Sequence, residues 1–191
     1  MNTIRLIGIS GSLRQASSNT AVLRTLQESM PAGVEMEILP LDGIPLYNQD
    51  LDGPNPPEAV RDSKEVIAAC DGIVICSPEY NFGMSGVLKN ALDWASRPAF
   101  ASPLKDKPVL LMTCSPAFTG GARAQAQLRE TLSGTLSRVI ARPPVVIAGI
   151  HTKIENGRLA DEANLKFALD AVNDLIAEVN MLRALRPAGK G

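Results

Sequence analysis

The residues of this chain that are best suited to chemistry follow its first apolar run. They are the hydrogen-bond donors Ser10, Ser12, Arg14, Ser17 and Asn19. A strand that turns into a helix through such residues points free backbone N–H groups at one place, which suits an anion. Because hydroxyls and a guanidinium add further hydrogen bonds, we predict that this first loop, residues 10–19, binds a phosphate. An ordinary capped helix beside an exposed arginine is the alternative interpretation.

The two familiar glycine motifs for nucleotides are absent from the sequence. It contains no G-x-x-x-x-G-K-[ST], and Gly8 and Gly11 do not begin a G-x-G-x-x-G. The sequence therefore disfavours a triphosphate or a dinucleotide in the first loop and favours a monophosphate.

A second candidate segment, the third loop at residues 77–85, carries scarce aromatic side chains. It begins Ser77-Pro78-Glu79-Tyr80-Asn81-Phe82-Gly83, in a chain with only 4% aromatic residues. Aromatic rings in a proline-stiffened loop favour stacking on a planar ligand, and the backbone around Glu79 and Asn81 suits the polar edge of a heterocycle. Filling of the loop or a subunit contact is the alternative role for the rings.

The fourth loop, residues 114–121, ends in two glycines, which let a backbone approach a ligand closely. Arg123 follows in the first turn of a predicted helix, where a cation opposes the helix dipole. We therefore expect a carboxylate or phosphate beside Arg123, from a ligand or a neighbouring subunit; an arginine reaching into water is the alternative.

The second loop, residues 40–56, is long and holds an apolar cluster around Tyr47 without a helical period. Loops of this length are usually functional or buried against a partner, so we predict that it forms part of a homodimer contact. Cys114 lies near the presumed site, but nothing in the sequence indicates a lowered thiol pKa or an adjacent base, and no cysteine nucleophile is predicted.

Alternating apolar runs and amphipathic segments must position these loops, and such alternation predicts a doubly wound parallel sheet covered by helices. Ligands of such folds bind at the carboxyl ends of the strands, where all four loops would meet. Helix starts are expected at Pro57 and Asp161. The predicted strands are 4–9, 34–39, 72–76, 109–113 and 145–148, and the predicted helices are 18–30, 57–70, 85–97, 121–138 and 161–183.

Composition predicts one domain over residues 1–183 and a flexible tail at 184–191, since the chain has 191 residues and 45% hydrophobic content. The formal net charge is −1 without a block of one sign, which disfavours nucleic acid or an anionic membrane as a partner. Without a C-x-x-C pair, an export segment or a long apolar run, we expect a cytoplasmic protein.

Two motifs occur in this order along the first two thirds of the chain. The first is Gly11-Ser12-Leu13-Arg14 with Ser17 and Asn19, and the second is Ser77-Pro78-Glu79-Tyr80-Asn81 running into Gly86-Val87-Leu88-Lys89-Asn90-Ala91-Leu92-Asp93-Trp94. Both resemble the small NAD(P)H-dependent FMN reductases, a family that includes quinone, chromate and azo-dye reductases. The resemblance extends to about Arg123 and implies a flavodoxin-like three-layer α/β fold with strand order 2-1-3-4-5.

The resemblance also implies a cofactor, FMN, whose phosphate the first motif would bind and whose isoalloxazine the second would line. The fourth loop would border the far side of the ring. Family members are usually dimers or tetramers with the flavin near the subunit boundary, and the Tyr47 and Trp94 segments are the contact candidates. The cofactor-binding residues predicted are Ser10, Ser12, Arg14, Ser17, Asn19, Thr20, Pro78, Glu79, Tyr80, Asn81, Phe82, Ser115, Gly120 and Gly121.

The activity implied is hydride transfer from NADPH or NADH to the flavin, followed by two-electron reduction of a small acceptor of the quinone, azo or metal-oxyanion type, or of free flavin. The cofactor would carry this chemistry, so no catalytic side chain and no metal is predicted. A flavodoxin-type electron carrier is the alternative, which the lack of an acidic face disfavours. A third hypothesis is that the fold serves as an assembly or regulatory module without a flavin.

Two positions depart from the family pattern. Ser85 stands where many relatives carry proline, and Pro116-Ala117-Phe118 is bulkier than the glycine-rich segment of many relatives. Both would border the flavin, so the substrate range of relatives does not transfer to this chain.

Overall fold

A computed structural model describes residues 3–185, which form a parallel sheet with helices on both faces. The strands of this sheet are β1 (Ile4–Ser10), β2 (Val34–Leu39), β3 (Gly72–Ser77), β4 (Pro108–Ser115), β5 (Arg138–Val139) and β6 (Val145–Ala148). The helices are α1 (Ser18–Glu28), α2 (Glu58–Ala69), α3 (Gly86–Ala95), α4 (Ala122–Gly134) and α5 (Glu162–Leu185).

The sheet has the order β2-β1-β3-β4-β5, and its strands are parallel, so the predicted doubly wound topology is confirmed. The edge of the sheet beside β4 differs from the prediction, because two short strands, β5 and β6, pair with β4 where one strand was expected. Pro143 and Pro144 lie between them and lack the N–H that a strand interior requires. The predicted helix 121–138 was too long, since α4 ends at Gly134 and Arg138 belongs to β5.

Two apolar clusters fill the space between the sheet and its helices. One includes Leu26 of α1 and Leu175 of α5. The other includes Leu88 of α3 and Leu128 of α4. Strand β3 is buried along its whole length, as expected of a central strand in a parallel sheet with both faces covered. The three-layer arrangement is therefore the one that the apolar pattern predicted.

Helix ends follow the capping chemistry expected from the sequence. Pro57 precedes α2, and Asp161 accepts the N–H of Asn164 at 2.9 Å at the start of α5. The hydrogen bonds from Asn164 lower the pKa of Asp161. Helix α5 runs to Leu185, so it includes the first two residues of the predicted tail; residues 186–191 lie outside the described part of the chain.

A short hairpin before α5 was missed by the sequence reasoning. Strands β7 (Ile154–Glu155) and β8 (Arg158–Leu159) flank Asn156 and Gly157, whose φ angles are 48° and 74°. Asn-Gly with positive φ at both residues is the preferred two-residue hairpin turn, so this dipeptide could have predicted the hairpin from the sequence. Among the helices described, none has the length and apolar character needed to cross a membrane.

Candidate functional site

The first loop joins β1 to α1 and leaves most of its backbone donors unused. From Ser12 to Asn19, only the N–H of Arg14 has an acceptor within residues 3–185, the Oγ of Ser12 at 3.4 Å. The remaining N–H groups include those of the first turn of α1, where the helix dipole also favours negative charge. An anion-binding segment requires this arrangement, because the donors are already ordered and have no internal partner.

The polar side chains of the first loop serve different purposes. The hydroxyls of Ser10 and Thr20 lie 2.8 Å apart in a mutual hydrogen bond, and Ser17 caps α1 by accepting the N–H of Thr20 at 3.2 Å. Arg14 is exposed and forms no ion pair with any described residue. Of the predicted donors, Arg14 and the backbone are thus the groups most available to a ligand.

A groove of about 430 Å³ runs beside the first loop, between it and the end of β2. Ser12, Arg14 and Thr20 line one side, and Leu39 and Leu41 are among the residues that line the other. The groove thus places a cation and hydroxyls opposite apolar side chains and the carboxylate of Asp42.

Asn19 is turned into the protein, where it is 5% exposed. Its Oδ1 accepts hydrogen bonds from the thiols of Cys76 at 3.3 Å and Cys114 at 3.1 Å. Contact with the Cys114 thiol, followed by burial, raises the pKa of Cys76 well above its ordinary value. Both thiols therefore serve as buried hydrogen-bond donors to Asn19.

The third loop contains a tight turn that presents two aromatic rings. Tyr80 and Gly83 exchange two backbone hydrogen bonds of 3.0 Å, and the residues between them, Asn81 and Phe82, have φ angles of 49° and 70°. A left-handed conformation is unfavourable for a bulky side chain such as that of Phe82 and persists only when its surroundings enforce it. Tyr80 and Phe82 are 54% and 69% exposed, so both rings are free to contact a ligand.

The third loop is fastened to the start of α4. Glu79 Oε2 accepts the N–H groups of Arg123 and Ala124 at 2.8 and 3.0 Å, and it replaces the side-chain cap that Gly121 cannot provide. The guanidinium of Arg123 lies 4.3 Å from the ring centroid of Phe82. The expected carboxylate beside Arg123 is therefore present, but it comes from Glu79 of the same chain and not from a ligand or a neighbouring subunit.

The first and third loops also touch each other. The N–H of Gly11 donates to the carbonyl of Cys76 at 2.9 Å, and a Cβ placed on Gly11 would lie 2.9 Å from Pro78 Cδ. Only glycine permits this approach of the two segments. The prediction that these loops meet at one edge of the sheet is confirmed.

The glycines of the fourth loop pack closely against strands of the sheet. A Cβ on Gly120 would collide with Val146 of β6, and a Cβ on Gly121 would lie 2.9 Å from Thr113 Cβ of β4. Protein atoms occupy their side-chain directions, so packing within the chain already requires glycine at both positions. At the end of β4, Ser115 Oγ accepts the N–H of Ala117 at 3.2 Å.

The second loop is attached to α3. The carbonyl of Pro45 accepts hydrogen bonds from Asn90 and from Trp94 Nε1, each at 2.8 Å, and Tyr47 packs edge-on against Trp94 with centroids 4.8 Å apart. Trp94 is fully buried within the subunit, so its side chain cannot itself form the predicted subunit contact. The second loop leaves Leu46 and Leu51 at the surface, at 82% and 45% exposure.

One residue that shapes the site was not found from the sequence. Gln127 of α4 accepts the N–H of Met84 at 2.7 Å and so fixes the end of the third loop. The two residues are 43 positions apart, and a glutamine on a helix carries no signal of such a contact.

Comparisons with known proteins agree with this geometry. Residues 4–153 match the family described as NADPH-dependent FMN reductase. The chain is 41% identical over 160 residues to an NAD(P)H-dependent FMN reductase of Pseudomonas aeruginosa, with 83% of this chain and 86% of that protein covered. It is 39% identical over 166 residues to a quinone reductase of Escherichia coli, with 85% and 88% covered.

A solved structure is also similar along nearly the whole chain. It is a flavoenzyme NAD(P)H:(acceptor) oxidoreductase from Paracoccus denitrificans, with a TM-score of 0.81 and 30% sequence identity. The match covers 94% of this chain and 98% of that one.

Proposed function

The chain belongs to the family of NADPH-dependent FMN reductases, and from this premise we propose that its first loop binds the phosphate of FMN and its third loop the isoalloxazine ring. The observation that carries the proposal is the set of backbone N–H groups from Ser12 to Asn19 that, apart from that of Arg14, have no acceptor within residues 3–185, next to Gly11, which packs against Pro78 at the start of the third loop. The protein is accordingly an NAD(P)H-dependent oxidoreductase with FMN as its cofactor.

The residues of the first loop fit a phosphate monoester. Backbone N–H groups at a helix start, together with a guanidinium that has no ion-pair partner among residues 3–185, favour an anion over a neutral group. Arg14 would supply the charge-assisted hydrogen bond, and the hydroxyl of Ser12 stands next to it. Ser10, Ser17 and Thr20 would contribute mainly by holding the loop in shape, since their hydroxyls are already hydrogen-bonded within the protein.

The third loop fits a flat, partly polar ring. The N–H groups of Glu79 and Asn81 have no acceptor within residues 3–185 and are placed to bind carbonyl or nitrogen acceptors on the ring edge. The rings of Tyr80 and Phe82 supply apolar surface, and Pro78 stiffens the approach. Ser115, Gly120 and Gly121 would border the opposite side of the ring.

Bound FMN supplies hydride acceptance from the nicotinamide and reduction of the second substrate. The contribution of this chain is to position the ring and leave one face open. The carboxylate of Glu79 is engaged by the start of α4, so the side chain serves to hold the loop and is not assigned the role of a base. Open apolar surface around the site suits planar substrates that bind in turn.

For the second substrate, the proposal is a planar quinone-type acceptor, in keeping with the quinone reductases among the relatives. Exposed aromatic side chains near the site support it, including Phe82 at 69% and Phe118 at 92% exposure. The same apolar surface, together with Leu46, supports assembly into homodimers or homotetramers. The buried free cysteines are compatible with a reducing, cytoplasmic location.

Anaerobic stopped-flow absorbance of the FMN-loaded protein tests this function. We expect NADPH or NADH to bleach the flavin band within seconds and an added quinone to restore it. Flavin that stays oxidised in the presence of both nicotinamides would favour the electron carrier, which the formal net charge of only −1 disfavours.

A further inference from the structure

Two cysteines from neighbouring strands converge on one side chain of the proposed phosphate site. Cys76 lies on β3 and Cys114 on β4, and both thiols donate to Oδ1 of Asn19, the second residue of α1. The cysteines are 0% and 1% exposed. The proposed function makes no use of these thiols, yet they determine how the Asn19 amide is oriented.

An asparagine amide has two chemically different ends. The oxygen only accepts hydrogen bonds and the nitrogen only donates them. Because both thiols are donors, they favour the oxygen on the inner side. The nitrogen then forms no hydrogen bond within residues 3–185, and it is not among the side-chain atoms sealed from the surface without a partner. The amide nitrogen therefore keeps both of its N–H donors without an acceptor among the described residues, in the first turn of α1, where the backbone N–H groups of residues 18 and 19 likewise have none.

The reverse orientation would be unfavourable when a phosphate is bound. It would turn a carbonyl oxygen toward an anion and point the amide N–H groups at two thiols, which are poor acceptors. The thiol of Cys76 remains protonated at neutral pH, since contact with Cys114 and burial raise its pKa. The donor character that the orientation requires is therefore maintained.

We infer that Cys76 and Cys114 are positioning residues of the phosphate site, whose thiols hold Asn19 with its amide nitrogen directed to the FMN phosphate. This inference rests on the proposed function and adds two residues to it. The cysteines do not touch the cofactor themselves. The thiols therefore strengthen binding of the FMN phosphate and leave binding of the isoalloxazine ring unchanged.

The test compares FMN with riboflavin, which has the same ring but no phosphate. Affinities of the apoprotein for both are measured by quenching of flavin fluorescence, for the wild type and for the double variants C76A/C114A and C76S/C114S. We expect the alanine pair to weaken FMN binding about three- to tenfold and to leave riboflavin binding unchanged. The serine pair, which restores hydroxyl donors, should recover most of the preference for FMN.

The second measurement repeats the two affinity titrations in a protein that lacks the Asn19 side-chain amide. In the Asn19→Ala protein, replacing the cysteines should change the ratio of the two affinities no further. Should the double alanine variant fail to fold, C76A and C114A are measured singly, with half the effect or more expected from each.

The inference is overturned if the alanine variants keep the wild-type ratio of FMN to riboflavin affinity, or if both flavins weaken equally, as a purely structural role of the thiols would predict. A wild-type protein that binds neither flavin, or binds both equally, overturns the proposed phosphate site together with the inference. A wild type that prefers FMN, with a ratio insensitive to the thiols, overturns the inference alone.

Discussion

The first loop and the third loop lie against each other, yet they use their polar groups in opposite ways. Within the described part of the chain, the first loop leaves most of its backbone N–H groups without an acceptor, while most of its hydroxyls form internal hydrogen bonds. In the third loop, the Glu79 carboxylate and the N–H of Met84 form hydrogen bonds with α4, and the rings of Tyr80 and Phe82 are exposed. An anion is selected by donors without partners, whereas a flat ring requires a surface that does not move. A ligand with both an anionic group and a flat ring therefore needs the two kinds of loop next to each other.

The largest expected effect comes from separating the two loops. In Gly11→Ala, the new Cβ would lie 2.9 Å from Pro78 Cδ, so the first loop must move away from the third. Overpacking of this kind costs about 1–3 kcal/mol of the free energy of unfolding, and binding of FMN and of riboflavin should both fall by about tenfold or more. Thermal unfolding and flavin fluorescence measure the two effects.

Gly86→Ala is the matched control, since a Cβ at Gly86 would meet nothing within 4 Å. It should bind flavin as the wild type does. Wild-type affinity in the Gly11 variant would show that contact between the loops is unnecessary.

Removing the cation of the first loop should affect FMN alone. Arg14→Ala deletes an exposed guanidinium that has no ion-pair partner among the described residues, and we expect about a tenfold loss of FMN affinity. Riboflavin affinity should stay constant, because the proposed site places the ring at the third loop and Arg14 at the phosphate. Titration calorimetry with both flavins measures the difference.

Arg24→Ala serves as the control for Arg14, because Arg24 lines the same groove from outside the first loop. An equal loss in both variants would indicate a general effect of positive charge and would remove Arg14 from the site.

Releasing the third loop from α4 should weaken both flavins equally. Glu79→Ala leaves the N–H groups of Arg123 and Ala124 without their cap, at a cost of about 0.5–2 kcal/mol in stability. Affinity for FMN and riboflavin should fall together by a few fold, since the support of the ring is loosened. Denaturant unfolding and fluorescence titration report the two quantities.

Glu79→Gln keeps an oxygen acceptor at this position and should lie between the wild type and the alanine variant. If Glu79→Ala lowers FMN affinity but spares riboflavin, then the third loop acts on the phosphate, and the contrast between the loops is wrong.

The smallest effect on stability is expected at Phe82. In Phe82→Asn, relief of the left-handed strain and loss of the contact with Arg123 are each worth about 1 kcal/mol and offset one another. The melting temperature should therefore change by no more than about 4 °C, while both flavins bind a few fold more weakly. A large drop in melting temperature, or unchanged binding, would show that the ring of Phe82 serves the fold and not the ligand.

Much of the architecture was predictable because it depends on local patterns. Apolar runs and helical periodicity place the main strands and helices to within a few residues, and motif order places the candidate loops at one edge. The pairing of both β5 and β6 with β4 was not predictable. The apolar pattern indicates a strand only at Val145–Ala148, and two prolines separate this strand from β5.

The contacts inside the site were harder to predict because they join distant residues. The dipole argument required a negative group beside Arg123 but could not identify Glu79, which lies 44 residues away. Asn19 and Cys114 are 95 residues apart, and nothing in either segment indicates that they share a hydrogen bond. The Trp94 segment was a candidate for a subunit contact, but the fold buries its side chain, and Trp94 Nε1 donates to the carbonyl of Pro45.

Titration calorimetry of the wild-type apoprotein with FMN and with riboflavin tests the central claim most directly. If the free N–H groups of the first loop and Arg14 hold the phosphate, FMN binds at least about tenfold more tightly than riboflavin. Equal affinities for the two flavins would contradict the assignment of the first loop as the phosphate site.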